Sequence, residues 1–203
     1  MKVILQRVPY YSQVVHVKKH EWRQKACTIT CLKMAMEYVL GCMQPPVDDL
    51  FHESELIQEN MLSRGLLTRE ATTYGRTHDT IVKVAHNHGC LAHPEEFRSM
   101  SVNEDGSFGE SHHSEAMVKA GIERICQSVA NNSPVIVSVR RRFETGGAPH
   151  SVLIIGFEKG SGFYYRDPDS EEDESHLEGN FISLSGFKES WRRLAIFVDA
   201  LSK

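Results

Sequence analysis

Apolar positions recur at helical spacing through the first two thirds of the chain, then gather into short blocks with strand character. From Cys27 to Leu40 the residues Ile29, Leu32, Met34, Met36 and Val39 mark one helix, and Gly41 ends it. A second helix is expected from about Val47 to Leu62, between Pro45-Pro46 and Gly65. A third is expected from His78 to about His88, capped by Thr77 and stopped by Gly89. A fourth is expected to run to about Ala130 with Ser114 as its N-cap. The stretch between the last two, SVNEDGSFGESHHS, is polar and reads as a surface loop. Beyond Asn132, PVIVSVR and HSVLIIGFE are rich in β-branched residues and read as strands. KGSG turns the second of these back into FYYRD as a hairpin. FISL is a further strand, SGFKESW a single helical turn, and LAIFVDA the final strand. Helices first and antiparallel strands later predict an α+β fold, with a helical lobe over about 1–132 and a sheet lobe over about 133–203. With no repeat and no long linker, residues 1–203 read as one domain.

The chemistry-bearing residues fall at the ends of these elements. Cys27 opens the first helix, where the dipole favours a thiolate and the first amides are free to donate. A cysteine alone is more often a small buried hydrophobe. His150 opens a strand after Gly146-Gly147-Ala148-Pro149, small residues that would let a substrate backbone approach. A strand-end histidine is otherwise just hydrogen-bonded in place. Asp167 ends the adjacent strand, where it is expected to orient the imidazole through its second nitrogen; the bland alternative is a turn residue before Pro168. Gln13, in VPYYSQ, is a candidate second oxyanion donor or an ordinary surface glutamine. Cys31 is the rival nucleophile, but inside the helix it loses the free amides. Thiol, imidazole and carboxylate in this order suggest nucleophilic cysteine catalysis.

The order Gln13, Cys27, His150, Asp167 resembles that of papain-like cysteine peptidases, and more narrowly the bacteriocin-processing branch that contains the double-glycine leader peptidases. Leu32, Met34 and Tyr38 fall at that branch's helical steps from the nucleophile, and PVIVSV, HSVLIIGF and YYRDP match its later strands. The resemblance covers nearly the whole chain. It implies a papain-like fold with the site in the cleft between a helical and a sheet lobe. It further implies Cys27 as nucleophile, His150 as general base and acid, Asp167 as orienting residue and Gln13 as oxyanion donor. One departure is visible: the family's Gly-Pro after the nucleophile is Thr28-Ile29 here.

Composition narrows the function classes. A net charge of −4 argues against general nucleic-acid affinity, although Arg140, Arg141 and Arg142 form a local basic patch. No apolar run reaches the length of a membrane span, and no signal peptide is recognised, so a cytoplasmic protein is expected. Cys27, Cys31, Cys42, Cys90 and Cys126 form no disulfide framework, which suits a reducing compartment. HNHGCLAH (His86 to His93) fits no zinc-site spacing, His112-His113 is a weaker candidate still, and GSGF near Gly160 is a hairpin turn rather than a phosphate loop. Neither metal nor cofactor is expected. Trp22 is placed either at the cleft wall or in the core. The acidic stretch from Asp169 to Glu178 is either a solvated loop or a steering surface for basic substrates. The expected partner is a peptide or protein substrate. Hydrolysis of peptide bonds leads. Transamidase, deamidase or isopeptidase chemistry at the same site, and a degenerate fold that binds peptides without cutting, stay open.

Overall fold

The structure, a computed structural model, describes residues 1–72, 75–102, 107–110, 113–171 and 178–201. Its centre is helix α1 (Cys27–Leu40), which ends at Gly41 with φ +63°. Ile29, Leu32, Met34, Ala35 and Met36 are fully buried, so the helix is covered on most of its surface and stands inside the protein. Helices α2 (Val47–Ser63) and α3 (His78–Asn87) pack against α1 and each other. Thr77 caps α3 by accepting the Thr80 amide at 3.4 Å. Helix α4 spans Ser114–Ala130. Ser114, expected as its cap, is instead its first residue, because His113 already has helical φ/ψ.

The main sheet is antiparallel throughout. Its strands are β1 (Lys2–Ile4), β2 (Cys90–Glu96), β5 (Val135–Arg140), β6 (Pro149–Glu158), β7 (Gly162–Arg166), β8 (Asn180–Ser183) and β9 (Trp191–Ala200). They lie in the order β2-β9-β5-β6-β7-β8, with β1 paired to β6 beyond the end of β5. The remaining strands, β3 (Met100–Val102) and β4 (Phe108–Glu110), make a separate hairpin within the segment expected to be an irregular loop. Helix α5 (Leu184–Ser190) is two turns long where one was expected. Strands β1 and β2 come from the first 132 residues yet join the sheet, so the part expected to be helical contributes two strands to the other layer.

His150 through Phe157 of β6 are all buried, which requires cover on both faces of the sheet; α1 and α4 both pack against this strand. The ladder has two irregularities. The β6–β7 register shifts between Ile154 and Gly156. The β5–β9 register jumps from Ser138↔Leu194 to Val139↔Trp191, so Arg192 and Arg193 stand out of the ladder as a bulge, with Arg193 at φ +63°. Among the described residues no helix is long and apolar enough to cross a membrane.

Candidate active site

Cys27 is the first residue of α1. Its N-cap, Ala26, has no side chain to cap the helix, and the first intrahelical bond runs from Thr30 N to Ala26 O at 2.8 Å. The Cys27 and Thr28 amides therefore stand outside the helical ladder, at the positive end of the dipole. The sulfur is half-buried. Opposite it, β6 presents His150 in register with Val139 of β5, and the ring is almost wholly buried. Asp167 follows the last residue of β7, Arg166, which pairs with Leu153. That register carries the carboxylate back to the imidazole: Oδ1 lies 2.7 Å from His150 Nε2. With Nε2 so engaged, the other ring nitrogen is left for the Cys27 sulfur, and Cys27 and His150 line one cleft.

The electrostatics follow from these contacts. Burial alone would raise the Cys27 thiol, but the hydrogen bond and charge of His150 outweigh it, helped by the Thr28 hydroxyl and the Ser151 amide, and hold it below its ordinary value. Burial would lower the His150 imidazolium, yet its bonds to Asp167 and Cys27 push it up to about 10. Burial opposes the charge of Asp167 too, and His150, the Asp169 amide and Arg141 hold the carboxyl below its usual value. Cys31 is different. It is fully buried, its Sγ donates to Ser151 O at 3.5 Å, and desolvation with the nearby Cys27 and Asp167 charges drives its thiol well up. That is the environment of an inert cysteine.

Gln13 is not a surface residue; only 1% of it is exposed. Its amide N–H donates to Pro168 O at 2.7 Å, and its Nε2 donates to Asp169 Oδ1 at 2.9 Å. One Nε2 hydrogen remains. Tyr10 from the same segment donates its hydroxyl to Asp167 O at 3.2 Å. The structure thus brings Cys27 and His150 to one cleft, bonds His150 to Asp167, and places Gln13 against the loop that carries Asp167. From the sequence Asp169 was read only as the start of the acidic stretch, not as a site residue. Its carboxylate receives Gln13 and also pairs with Arg141, at 3.1 Å from Nε. The only hint was its place two residues past Asp167 in the DPD stretch.

Other expectations change on inspection. In place of the family's Gly-Pro, Ile29 is fully buried and the Thr28 hydroxyl meets Ser151 Oγ at 2.8 Å. Gly147 is required by the chain's own turn, since a Cβ there would sit 2.7 Å from Arg141 O. Trp22 packs on Phe51, with ring centroids 4.8 Å apart, and belongs to the core. In HNHGCLAH, His86 bonds Ala92 O, His88 bonds Glu53, His93 bonds Glu95 and Cys90 is buried. His112 and residues 172–177 of the acidic stretch lie outside the described residues. Gly160, at φ +82°, turns the β6–β7 hairpin.

Comparison with known proteins is consistent with this geometry. The profile of the Peptidase_C39 like family matches residues 5–195. Among solved structures, a Bacillus anthracis protein assigned as a C39-like peptidase aligns over 100% of both chains, with a TM-score of 0.62 and 18% identity. A double glycine motif protease from an AMS/PCAT transporter, solved in complex with the leader peptide, aligns over 99% of both chains at a TM-score of 0.54 and 14% identity. The peptidase domain of Streptococcus ComA, a bifunctional ABC transporter of a quorum-sensing pathway, aligns over 87% of this chain and 93% of its own, at 0.52 and 15%. No curated protein matches the sequence. The α+β, papain-like fold is shared with these structures.

Proposed function

We propose that this chain, which belongs to the Peptidase_C39 like family, hydrolyses peptide bonds through a thioester formed on Cys27. The observation that carries this reading is Cys27 and His150 lining one cleft with Asp167 bonded to the ring, the thiol held down and the imidazole held up. In that state sulfur is the thiolate and His150 the imidazolium, which is the reactive pair for acyl transfer.

The thiolate attacks the scissile carbonyl carbon, and a carbon–sulfur bond forms as the carbonyl π pair moves to oxygen. The Cys27 amide and the second hydrogen of Gln13 Nε2 supply donors for that oxyanion. Collapse breaks the C–N bond, and the leaving amine takes the proton from His150. Water then attacks the thioester, giving its proton to His150 and returning sulfur as the thiolate. Asp167 keeps the ring oriented through both proton transfers, and Asp169 holds Gln13 in place. The five free cysteines suit a reducing, cytoplasmic setting.

The test is hydrolysis of a peptide library, read by mass spectrometry. Cys27→Ala and His150→Ala are expected to abolish cleavage. Gln13→Ala is expected to lower kcat by about 10²–10³ with KM little changed, the pattern of a donor used only in the transition state. Full activity in Cys27→Ala would end the proposal. Release of ammonia from side-chain amides without chain cleavage would move the assignment to deamidation at the same thiol.

A further inference from the structure

Beside Cys27 and His150 the cleft deepens into a cavity of about 300 Å³, whose lining includes Thr28, Arg76, His78 and Arg192. Any substrate attacked at Cys27 places a neighbouring residue there, so the charge of this cavity bears on what is recognised. The cations are not equivalent. Arg76 is compensated: its Nη2 lies 2.9 Å from Glu55 Oε1, its Nε donates to Ser54 Oγ at 2.8 Å, and its guanidinium rests on the Phe51 ring. His78 is kept towards its neutral form, since burial and the charges of Arg192 and Arg98 oppose the pull of Asp79 and Glu96. Arg192 is the exception. It is half-buried, and its Nη1 donates to Ser138 Oγ at 3.1 Å. Among the described residues no carboxylate lies within ion-pair distance of it. Its charged neighbours are Arg98 and Arg140, which together with burial lower its pKa. Arg98 at least has Glu96 at 3.1 Å.

The backbone puts Arg192 there at a cost. A regular β9 would pair both Arg192 and Arg193 with β5, but the ladder skips both, and Arg193 adopts a left-handed φ of +63°. A bulge of this kind redirects a side chain that the pleat would otherwise fix. Here it sets a guanidinium in the wall of the cavity that Cys27 also lines, with one donor used and the rest of its fork available. An unneutralised guanidinium among like charges is unfavourable until an anion arrives, and a planar carboxylate is the group the fork matches best.

We infer that this cavity is a recognition site for a substrate carboxylate, held by Arg192 with Ser138 and His78 alongside, and that the preferred substrates are peptides with an acidic group close to the bond attacked. The carboxylate is either an Asp or Glu side chain or a free peptide C-terminus. This inference rests on the peptide-hydrolysis reading for its consequence in catalysis, and its sign is opposite to the steering of basic substrates that was one reading of the acidic stretch.

The experiment compares peptides that differ as Glu against Gln at each position within two residues of the cleaved bond, each with a free or an amidated C-terminus. Glu is expected to exceed Gln by about tenfold to a hundredfold in kcat/KM, the range of a charge-assisted hydrogen bond. Arg192→Gln is expected to erase that ratio, and Arg192→Glu to reverse it towards Lys-bearing peptides. If the preference follows the free C-terminus and vanishes on amidation, the terminal carboxylate is the group recognised. Binding of the same peptides to Cys27→Ala, by fluorescence anisotropy, separates the two ideas. Arg192-dependent preference for Glu without hydrolysis by the native chain would sink the peptidase reading and keep the carboxylate site. Equal binding of Glu and Gln peptides, or a preference untouched by Arg192→Gln, would overturn the site whatever becomes of the hydrolysis.

Discussion

A thiol and an imidazole that stabilise each other's charge define a pH window. Cys27 must be deprotonated and His150 protonated, and the pair titrates as a unit. Rising pH switches activity on as it passes the lowered Cys27 value, and off as it passes His150 at about 10. The kcat/KM profile is therefore expected to be bell-shaped, with its acid limb below the ordinary thiol value of ~8.5 and its alkaline limb near 10. His150→Gln removes the imidazolium, so alkylation of Cys27 by iodoacetamide is expected to need a higher pH than in the native chain. An unshifted alkylation profile would mean that the sulfur is not held by the ring. The order Cys27, His150, Asp167 was legible because each stands at the end of a strongly patterned element. Asp169 was not, because its role depends on Gln13 and Arg141, which lie 156 and 28 residues away in sequence.

At the scale of elements, the long buried pieces were legible and the short edge pieces were not. Helix α1 was readable to both ends because its apolar spacing and Gly41 are unambiguous. Strand β6 was readable because it is buried along its length. Strand β2 hides in HNHGCLAH, since it pairs only with β9 and carries exposed Leu91 and His93 on one side and Pro94 within it, features of an edge. The three-residue strands β1, β3 and β4 are too short for any alternation to show. The bulge in β9 was invisible because LAIFVDA continues as an ordinary strand and only the pairing to β5 reveals the skipped arginines. The pairing of β7 with β8 makes its own prediction. A Cβ on Gly162 would lie 2.0 Å from Ile182 O, a backbone atom that cannot turn aside. Gly162→Ala is expected to cost about 1–3 kcal/mol, seen as a Tm lowered by several degrees. An unchanged Tm would show that β8 yields freely.

Across the whole molecule, helices packed against an antiparallel sheet were predicted and are what the fold shares with C39 peptidase structures. What the pattern could not give is how the first residues are used. Lys159 N donates to Met1 O at 2.9 Å, β1 zips Lys2–Ile4 onto β6, and Leu5 N reaches Ile155 O at 2.8 Å. Eight residues later the same segment delivers Gln13 to the far end of that strand pair, against Pro168 and Asp169. The leading strand is thus a tether whose two knots are a sheet edge and the acid-bearing loop. Nicking the chain between the knots would cut β1 away from Gln13, the proposed oxyanion donor, without touching the His150–Asp167 hydrogen bond. A protein lacking its first four residues keeps Tyr10 and Gln13 but loses the knot on β6; it is expected to alkylate at Cys27 as readily as before and to cleave peptides more slowly, so that the grip of the leading strand, rather than the nucleophile, would set the rate.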